Sequence, residues 1–236
     1  MLRLLHIENI AVIEQAAAEH GSMYFETRNL PCLITAETFG GSKFDIDIQG
    51  VTFKNLEISM IGRHQVKNAA AAVAALCILE ENGDIRLPNE ALRAGLKKAK
   101  QIGRFEIMTP PGQKPVYIID GAHNPDGALA LRRTMTTFCA DSKILMVTGM
   151  LADKDTDTIL KEFTQITGDF IVTEPVNPRR MSKEELKAKI EALGGSVKAA
   201  AEHEEALHAA KAMQDEYDVI LFAGSLYLIG EIRRML

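Results

Sequence analysis

The sequence predicts an α/β protein whose second half is a Rossmann-like domain with a mainly parallel sheet. Beyond residue 115, short apolar runs alternate regularly with helical patterns. The first run, residues 116–119, stops at a carboxylate, Asp120. A proline-rich segment, residues 109–115, separates this half from a first half with a different pattern. Alternating strands and helices are typical of a parallel sheet built with right-handed crossovers.

The first half combines helices with antiparallel strands. Residues 8–20 have a helical pattern with Ile10, Ile13 and Ala17 on one side, and Gly21 stops it. Apolar and polar residues alternate over 44–49 and the apolar pattern resumes over 51–60, which predicts antiparallel strands with one face in water. Helical spacing of apolar residues then predicts a helix over 66–77, and a further helix follows over 89–100.

The second half is predicted strand by strand and helix by helix. Its strands are expected at 116–119, 144–147, 170–172 and 219–222, with a weaker one near Val197. Its helices are expected to start near Pro125, Thr156, Ser182 and Glu202, and a last one near Tyr227. The predicted domains are therefore residues 1–108 and 116–236, joined by a linker at 109–115. Loops 149–155 and 173–180 should lie at the same sheet edge as Asp120.

Composition excludes several classes of function. The 236 residues carry a net charge of -5, which gives no basic footprint for nucleic acid. No apolar run approaches the roughly 18 residues that cross a bilayer. The three cysteines are isolated and lack C-x-x-C spacing, so they are interpreted as core thiols rather than a zinc site or disulfide framework. We expect a soluble, cytoplasmic enzyme without membrane or nucleic-acid partners.

Four motifs carry chemistry, and each allows a plainer interpretation. Asn68 can read the edge of a purine base, or together with Gln65 it can satisfy the free amides of a helix start. The guanidinium of Arg104 suits phosphate and ribose oxygens, or it forms a surface pair with Glu106 or Asp120 that contributes about 0–1 kcal/mol.

The other two motifs follow strands of the predicted sheet. Asp120 lies where open α/β sheets bind ligands, although it could merely cap a turn. Asn124 can cap the helix that starts at Pro125. His123 is either a ligand contact or an exposed loop histidine. Ser225, after the last strand, is either an anion contact or a helix cap.

Taken in order, these motifs resemble those of the folylpolyglutamate synthase and dihydrofolate synthase family of the Mur ligase superfamily. They are Gly62-Arg-His-Gln-Val-Lys-Asn68, Gly103-Arg-Phe-Glu106, Asp120-Gly-Ala-His-Asn-Pro125 and Ala223-Gly-Ser-Leu-Tyr227. The resemblance covers essentially all 236 residues, but it is to the second half of such an enzyme. It implies that residues 1–108 are a truncated remainder of the ATP-binding domain, followed by the Rossmann-like ligase domain.

The resemblance implies an ATP-dependent ligase that adds L-glutamate to dihydropteroate or folate through an acyl phosphate. It implies that Asn68, Arg104 and Asp120 bind ATP, and that His123 and Ser225 contact the glutamate substrate. No G-x-x-x-x-G-K-[ST] phosphate loop occurs in the sequence. The family's phosphate loop and its Mg²⁺ ligands lie upstream of the matching region, so no catalytic or metal-binding residue is assigned here. We expect negligible ligase activity from these residues alone.

The sequence also gives expectations for the oligomeric state and for two alternative functions. The full-length family form is expected to be a monomer, whereas a truncated first domain would expose strand edges and favour self-association. One alternative is a non-catalytic module that binds a nucleotide or a partner. Another is a Mur-type cell-wall peptide ligase, although the Gly-Ala-His-Asn-Pro form and the Gly-Ser-Leu-Tyr ending favour the folate branch.

Overall fold

The first lobe, residues 32–98, is a small antiparallel sheet covered by two helices. The computed structural model describes residues 2–22, 24–27 and 30–236. In chain order the elements up to this lobe's end are α1 (Leu2–Glu19), β1 (Cys32–Thr38), β2 (Gly41–Ile48), β3 (Val51–Ile58), α2 (Arg63–Glu81) and α3 (Asn89–Lys98).

The core of the first lobe forms where one face of β2 meets α2. Phe44, Ile46 and Ile48 alternate along β2 and are buried, because side chains at every second position share one face of a strand. Val66 and Val73 of α2 are fully buried against them. The predicted antiparallel strands and both helices are thus confirmed, and β1, which the sequence did not predict, adds a third strand at the edge.

Helix α1 precedes the first lobe and leaves apolar side chains in water. The helix predicted over 8–20 is present, and it begins earlier, at residue 2. Ile13, which the sequence places on one side of this helix with Ile10 and Ala17, is 57% exposed, and Val12 is 65% exposed. The predicted helical period is therefore confirmed, but α1 is not packed through Ile13.

The second lobe, residues 103–236, is a six-stranded sheet with helices on both faces. Its elements are β4 (Glu106–Ile107), β5 (Val116–Ile119), α4 (Pro125–Phe138), β6 (Ile144–Thr148), α5 (Thr156–Phe163), β7 (Asp169–Val172), α6 (Lys183–Ala192), β8 (Ser196–Ala200), α7 (His203–Ala212), a short 3₁₀ helix (Gln214–Glu216), β9 (Val219–Ala223) and α8 (Leu226–Met235). The strand order is β4-β5-β9-β6-β7-β8, and all neighbours are parallel except β4 and β5.

This topology confirms the predicted Rossmann-like domain and places the strand ends. Helices α4, α5 and α6 pack on one face of the sheet, and α7 and α8 pack on the other. Strand β9 lies between β5 and β6, and all five of its residues are buried. Because the five parallel strands point the same way, the segments after β5, β6, β7 and β9 emerge at one edge.

The proline-rich segment 109–115 connects two strands of the second sheet. It connects β4 to β5, which pair through Glu106 with Ile119 and Ile107 with Ile118. Strand pairing therefore joins residues 106–107, which the sequence assigned to the first domain, to the second lobe. We propose that the domain boundary lies between the end of α3 and Gly103 instead of at 109–115.

The two lobes touch through aromatic side chains. The ring of Phe39, in the turn between β1 and β2, lies 5.1 Å from the ring of Phe138 at the end of α4. The ring of Phe138 lies 6.3 Å from that of Phe105. Within the described ranges, no helix is both long and apolar enough to cross a membrane.

The exposure of residues 11–16 of α1 predicts uneven protection from hydrogen exchange. The amides of α1 should exchange much faster than those of α4, a helix of 14 residues packed against the sheet. Helical segments with exposed apolar side chains open locally, whereas core elements exchange through larger unfolding events. Amide exchange followed by NMR, at concentrations where sedimentation shows a monomer, measures the difference. Equal protection of α1 and α4 in the monomer would contradict this expectation.

Candidate functional site

A cavity of about 340 Å³ lies between the lobes at the carboxyl edge of the parallel sheet. It is lined by the first turns of α2, the loop after α3, the end of β5 and the first half of α4: His64, Gln65, Asn68, Gln101, Arg104, Asp120, Gly127, Ala130 and Leu131. Asn68, Arg104 and Asp120, the three residues predicted to bind the cofactor, therefore line the same cavity. Their roles stay predictions.

Asn68 presents an exposed amide that is held by a short chain of side chains. Its Nδ2 donates to Oε1 of Gln65 at 3.2 Å, and Nε2 of Gln65 donates to Nε2 of His64 at 3.1 Å. Gln65 is buried. The start of α2 at Gly62 has no side-chain cap. The plainer interpretation, in which Asn68 and Gln65 satisfy the helix-start amides, is therefore wrong.

Arg104 is half-buried and unpaired. Among the described residues it has no hydrogen-bond or ion-pair partner. Glu106 is instead held by Arg233, and the oxygens of Asp120 accept backbone amides. The alternative of a pair between Arg104 and either carboxylate is therefore wrong. An unpaired guanidinium facing a cavity is free to bind anionic or hydroxyl oxygens.

Asp120 is buried and already holds two backbone amides. Its Oδ2 accepts from the amide of Phe105 and its Oδ1 from the amide of Ala122, both at 2.8 Å. The second bond is the turn cap that the plainer interpretation proposed. The first bond fastens the loop that carries Arg104 to the end of β5. A carboxylate has about four acceptor positions, and these two bonds occupy two of them.

Burial changes the protonation of the groups around the cavity. Burial raises the pKa of Asp120 to about 6, against the opposing effect of its two amide donors and of the charge on Arg104. Burial also lowers the pKa of His64, and the nearby Arg104 lowers it further. His64 is therefore neutral at physiological pH, which suits its role as the acceptor of the Gln65 amide.

The loop that carries Arg104 has an unusual backbone. Gly103 has φ of 71° and Phe105 has φ of 43°, a left-handed value for a buried aromatic residue. The Gly103 carbonyl accepts from the amide of Gly121 at 2.7 Å. Such conformations persist where surrounding contacts hold them, and they cluster at functional sites. The strain therefore supports this loop as part of a site.

His123 and Ser225 do not line the cavity with the other three predicted residues. His123 is half-buried, and its Nδ1 donates to the carbonyl of Gly121 at 2.7 Å. Ser225 is 1% exposed, and its Oγ accepts from the amide of Tyr227 at 3.2 Å, so it caps α8. The two residues follow β5 and β9, which are neighbours in the sheet. Their contact with a substrate stays a prediction.

The two further loops lie together at the sheet edge, as the strand order requires. The amide of Ala152 donates to the carbonyl of Arg179 at 2.8 Å, and Arg179 forms an ion pair with Asp153 at 2.7 Å. Leu151 and Arg180 form an isolated antiparallel bridge. The two loops therefore contact each other at the edge near β6 and β7.

Two features of the neighbourhood were not predicted from the sequence. His64, Gln101 and the first half of α4 line the cavity, although only their closeness to the motifs could have indicated them. On the other side of His64 lies a second cavity of about 350 Å³ between β1, α2 and α4, which contains none of the five predicted residues. In the described part of the chain, no three His, Cys, Asp or Glu side chains are grouped to hold a metal ion.

Comparison with known proteins gives independent information about the family and the fold. The family described as Mur ligase, glutamate ligase domain, matches residues 103–226. A dihydrofolate synthase/folylpolyglutamate synthase of Bacillus subtilis is 29% identical over 231 residues, which is 97% of this chain and 52% of that protein. The chain thus spans about half the length of this relative.

Solved structures give the same extent of similarity. A folylpolyglutamate synthase of Thermotoga maritima is 32% identical with a TM-score of 0.75, over 96% of this chain and 51% of that one. An Escherichia coli FolC in complex with DHPP and ADP is 26% identical with a TM-score of 0.80, over 95% and 50%. The likeness therefore spans both lobes of this chain and half of each relative.

The raised pKa of Asp120 predicts how stability depends on pH. The folded pKa of about 6 exceeds the ordinary 3.8, so the folded state binds this proton more tightly than the unfolded state. The cost of burying the charge is therefore absent at low pH and appears as pH rises from about 4 to 6. Between about pH 4.5 and 7.5 it should reduce the free energy of unfolding by about 2 kcal/mol relative to Asp120→Asn.

Urea unfolding of both proteins at the two pH values measures this difference. Asp126→Asn, at an exposed carboxylate in the first turn of α4, is the control for a general change in charge. A constant stability difference between the wild type and Asp120→Asn across this range would contradict the raised pKa.

Proposed function

This chain belongs to the folylpolyglutamate and dihydrofolate synthase family of Mur ligases, and from that premise we propose that it forms the adenosine-binding part of an ATP-dependent amide ligase. The observation that carries the proposal is the cavity where Asn68 of the first lobe meets Arg104 and Asp120 of the second. The complete enzyme would add L-glutamate to dihydropteroate or folate. Its relatives are about twice as long as this chain.

The three residues fit the parts of an adenosine moiety. The exposed amide of Asn68 offers donors and an acceptor, which match the edge of adenine. Asp120 keeps acceptor positions for ribose hydroxyls next to its two amide bonds. Arg104 supplies the unpaired cation for ribose or phosphate oxygens. Because the groups come from two lobes, closure of the lobes would complete the nucleotide site.

The chemistry of amide formation explains why a nucleotide is required. A carboxylate is a poor electrophile, so transfer of the γ-phosphoryl group to it gives an acyl phosphate and ADP. The neutral amine of L-glutamate then attacks the acyl carbon, phosphate leaves, and the nitrogen loses one proton as the amide forms. Mg²⁺ would neutralise charge during phosphoryl transfer. We place its ligands and the phosphate loop outside these 236 residues.

The glutamate would bind at the sheet edge after β5 and β9. His123 keeps Nε2 available, because its Nδ1 is committed to the Gly121 carbonyl. The start of α8 beside Ser225 offers a positive helix end, which favours a carboxylate. Since Ser225 is buried and caps the helix, its contribution to glutamate binding would be the orientation of that end.

Nucleotide titration of the 236-residue chain tests the adenosine site. We expect Asn68→Ala to weaken ADP binding about tenfold and to reduce the preference for ADP over GDP, because a base-edge hydrogen bond is lost. Isothermal titration calorimetry measures both affinities. Asn68 is the most informative position for this test, since its side chain is exposed and makes one described hydrogen bond, to Gln65.

Asn82→Ala, at the opposite end of α2, is the matched control and should leave binding unchanged. Equal ADP affinities of the two variants would remove the base contact assigned to Asn68. A wild-type chain that binds neither nucleotide would overturn the adenosine site as a whole. Release of phosphate that depends on ATP, folate and glutamate by these residues alone would contradict the assignment of the phosphate loop to another part of the enzyme.

A further inference from the structure

The guanidinium of Arg104 depends on its backbone for its position. Its side chain has no described hydrogen-bond or ion-pair partner that would hold it at the cavity. Its direction is therefore set by the loop 101–105, in which Gly103 and Phe105 both have left-handed φ values. Whatever fixes this loop fixes the guanidinium.

Three hydrogen bonds fasten the loop, and two of them come from the end of β5. Phe105 donates its amide to Asp120, and Gly103 accepts from the amide of Gly121. The third bond has another origin: the amide of Gly103 donates to Oε2 of Glu106 at 3.0 Å. A carboxylate can hold that amide only while its own rotamer is fixed.

Arg233 of α8 fixes that carboxylate through a two-pronged contact. Its Nη2 lies 2.9 Å from Oε1 of Glu106, and its Nε lies 3.1 Å from both carboxylate oxygens. Burial raises the pKa of Glu106, but the donors Arg233 and Gly103 outweigh this and hold it below its ordinary value. Paired planar groups of this kind give geometric specificity as well as attraction.

The same face of α8 also packs against the loop and against Gly121 beside it. A side-chain carbon added at Gly103 would come within 2.5 Å of Cδ1 of Ile229, and one at Gly121 within 2.4 Å of Cδ2 of Leu226. Leu226, Ile229 and Arg233 are spaced at one helix face. Helix α8 thus contacts this region through the apolar side chains of Leu226 and Ile229 and, one turn further on, through the ion pair between Arg233 and Glu106.

We propose that Arg233 is a positioning residue for Arg104. It acts through the carboxylate of Glu106 and the amide of Gly103, and it touches neither the cavity nor a ligand. The inference rests on the proposed function, because Arg104 matters as a contact of the nucleotide. It assigns to α8 an indirect influence on a site formed by residues far earlier in the sequence.

The first test needs no nucleotide. In Arg233→Gln, the amide of Gly103 should exchange about tenfold faster than in the wild type, as the weakening of one charge-assisted hydrogen bond predicts. The amide of Phe105, held by Asp120, should change less. Arg234→Gln is the matched control, since Arg234 pairs with Glu231 of its own helix. Arg233→Lys, which keeps the cation but loses the fork, should be intermediate.

The second test is ADP affinity with the free energy of unfolding measured in parallel. Arg233→Gln should weaken ADP binding several-fold, Arg233→Lys less, and Arg234→Gln not at all, after any shared change in stability is subtracted. Arg233→Gln should add no further loss when Arg104 is already changed to Gln. Additive losses would show that Arg233 acts by another route and would overturn the inference.

The two tests separate the possible failures. Unchanged exchange at Gly103 in Arg233→Gln, or a uniform increase across the whole second lobe, overturns the positioning role. Faster exchange confined to residues 101–106, in a chain that binds no ADP, supports the loop anchor and instead contradicts the proposed nucleotide site.

Discussion

The buried carboxylate of Asp120 is the contact on which the rest of the site depends. It joins the end of the first parallel strand to the loop that leaves the first lobe, through the amide of Phe105. That bond helps to hold the left-handed φ of a buried aromatic residue. The bond thereby helps to set the position of Arg104 at the cavity that Asn68 also lines.

The two charged groups that line the cavity, Asp120 and Arg104, form no ion pair within the described part of the protein. Asp120 is buried with two amide donors and no cation bound to it, and Arg104 has no described partner. Ion pairs are instead made elsewhere, as between Glu106 and Arg233. A buried carboxylate that lacks a bound cation costs stability, and its raised pKa reflects that cost. Such unpaired groups are typical of sites that bind polar ligands.

Local signals made most of the second lobe predictable, whereas long-range contacts were not. Buried strands such as β5 are short apolar runs, and the cap at Asn124 is a local pattern, confirmed by its bond to the amide of Gly127. Strand β1 was missed because its residues are half-buried or exposed and give no clear apolar period. The residues of the Arg233–Glu106 pair are 127 positions apart, so no window of sequence contains both.

The candidate site shows the same division. The family resemblance predicted that Asn68, Arg104 and Asp120 belong to one site, and they line one cavity, whereas the sequence left open whether Ser225 caps a helix or contacts an anion. A hydroxyl after a strand has the same local sequence in both roles. Exposure decides between them, and exposure depends on how α8 packs over the loop. Helix α8 therefore determines whether a ligand can reach Ser225 after β9. Through Ile229 it also limits how closely the Arg104 loop can approach the end of β5.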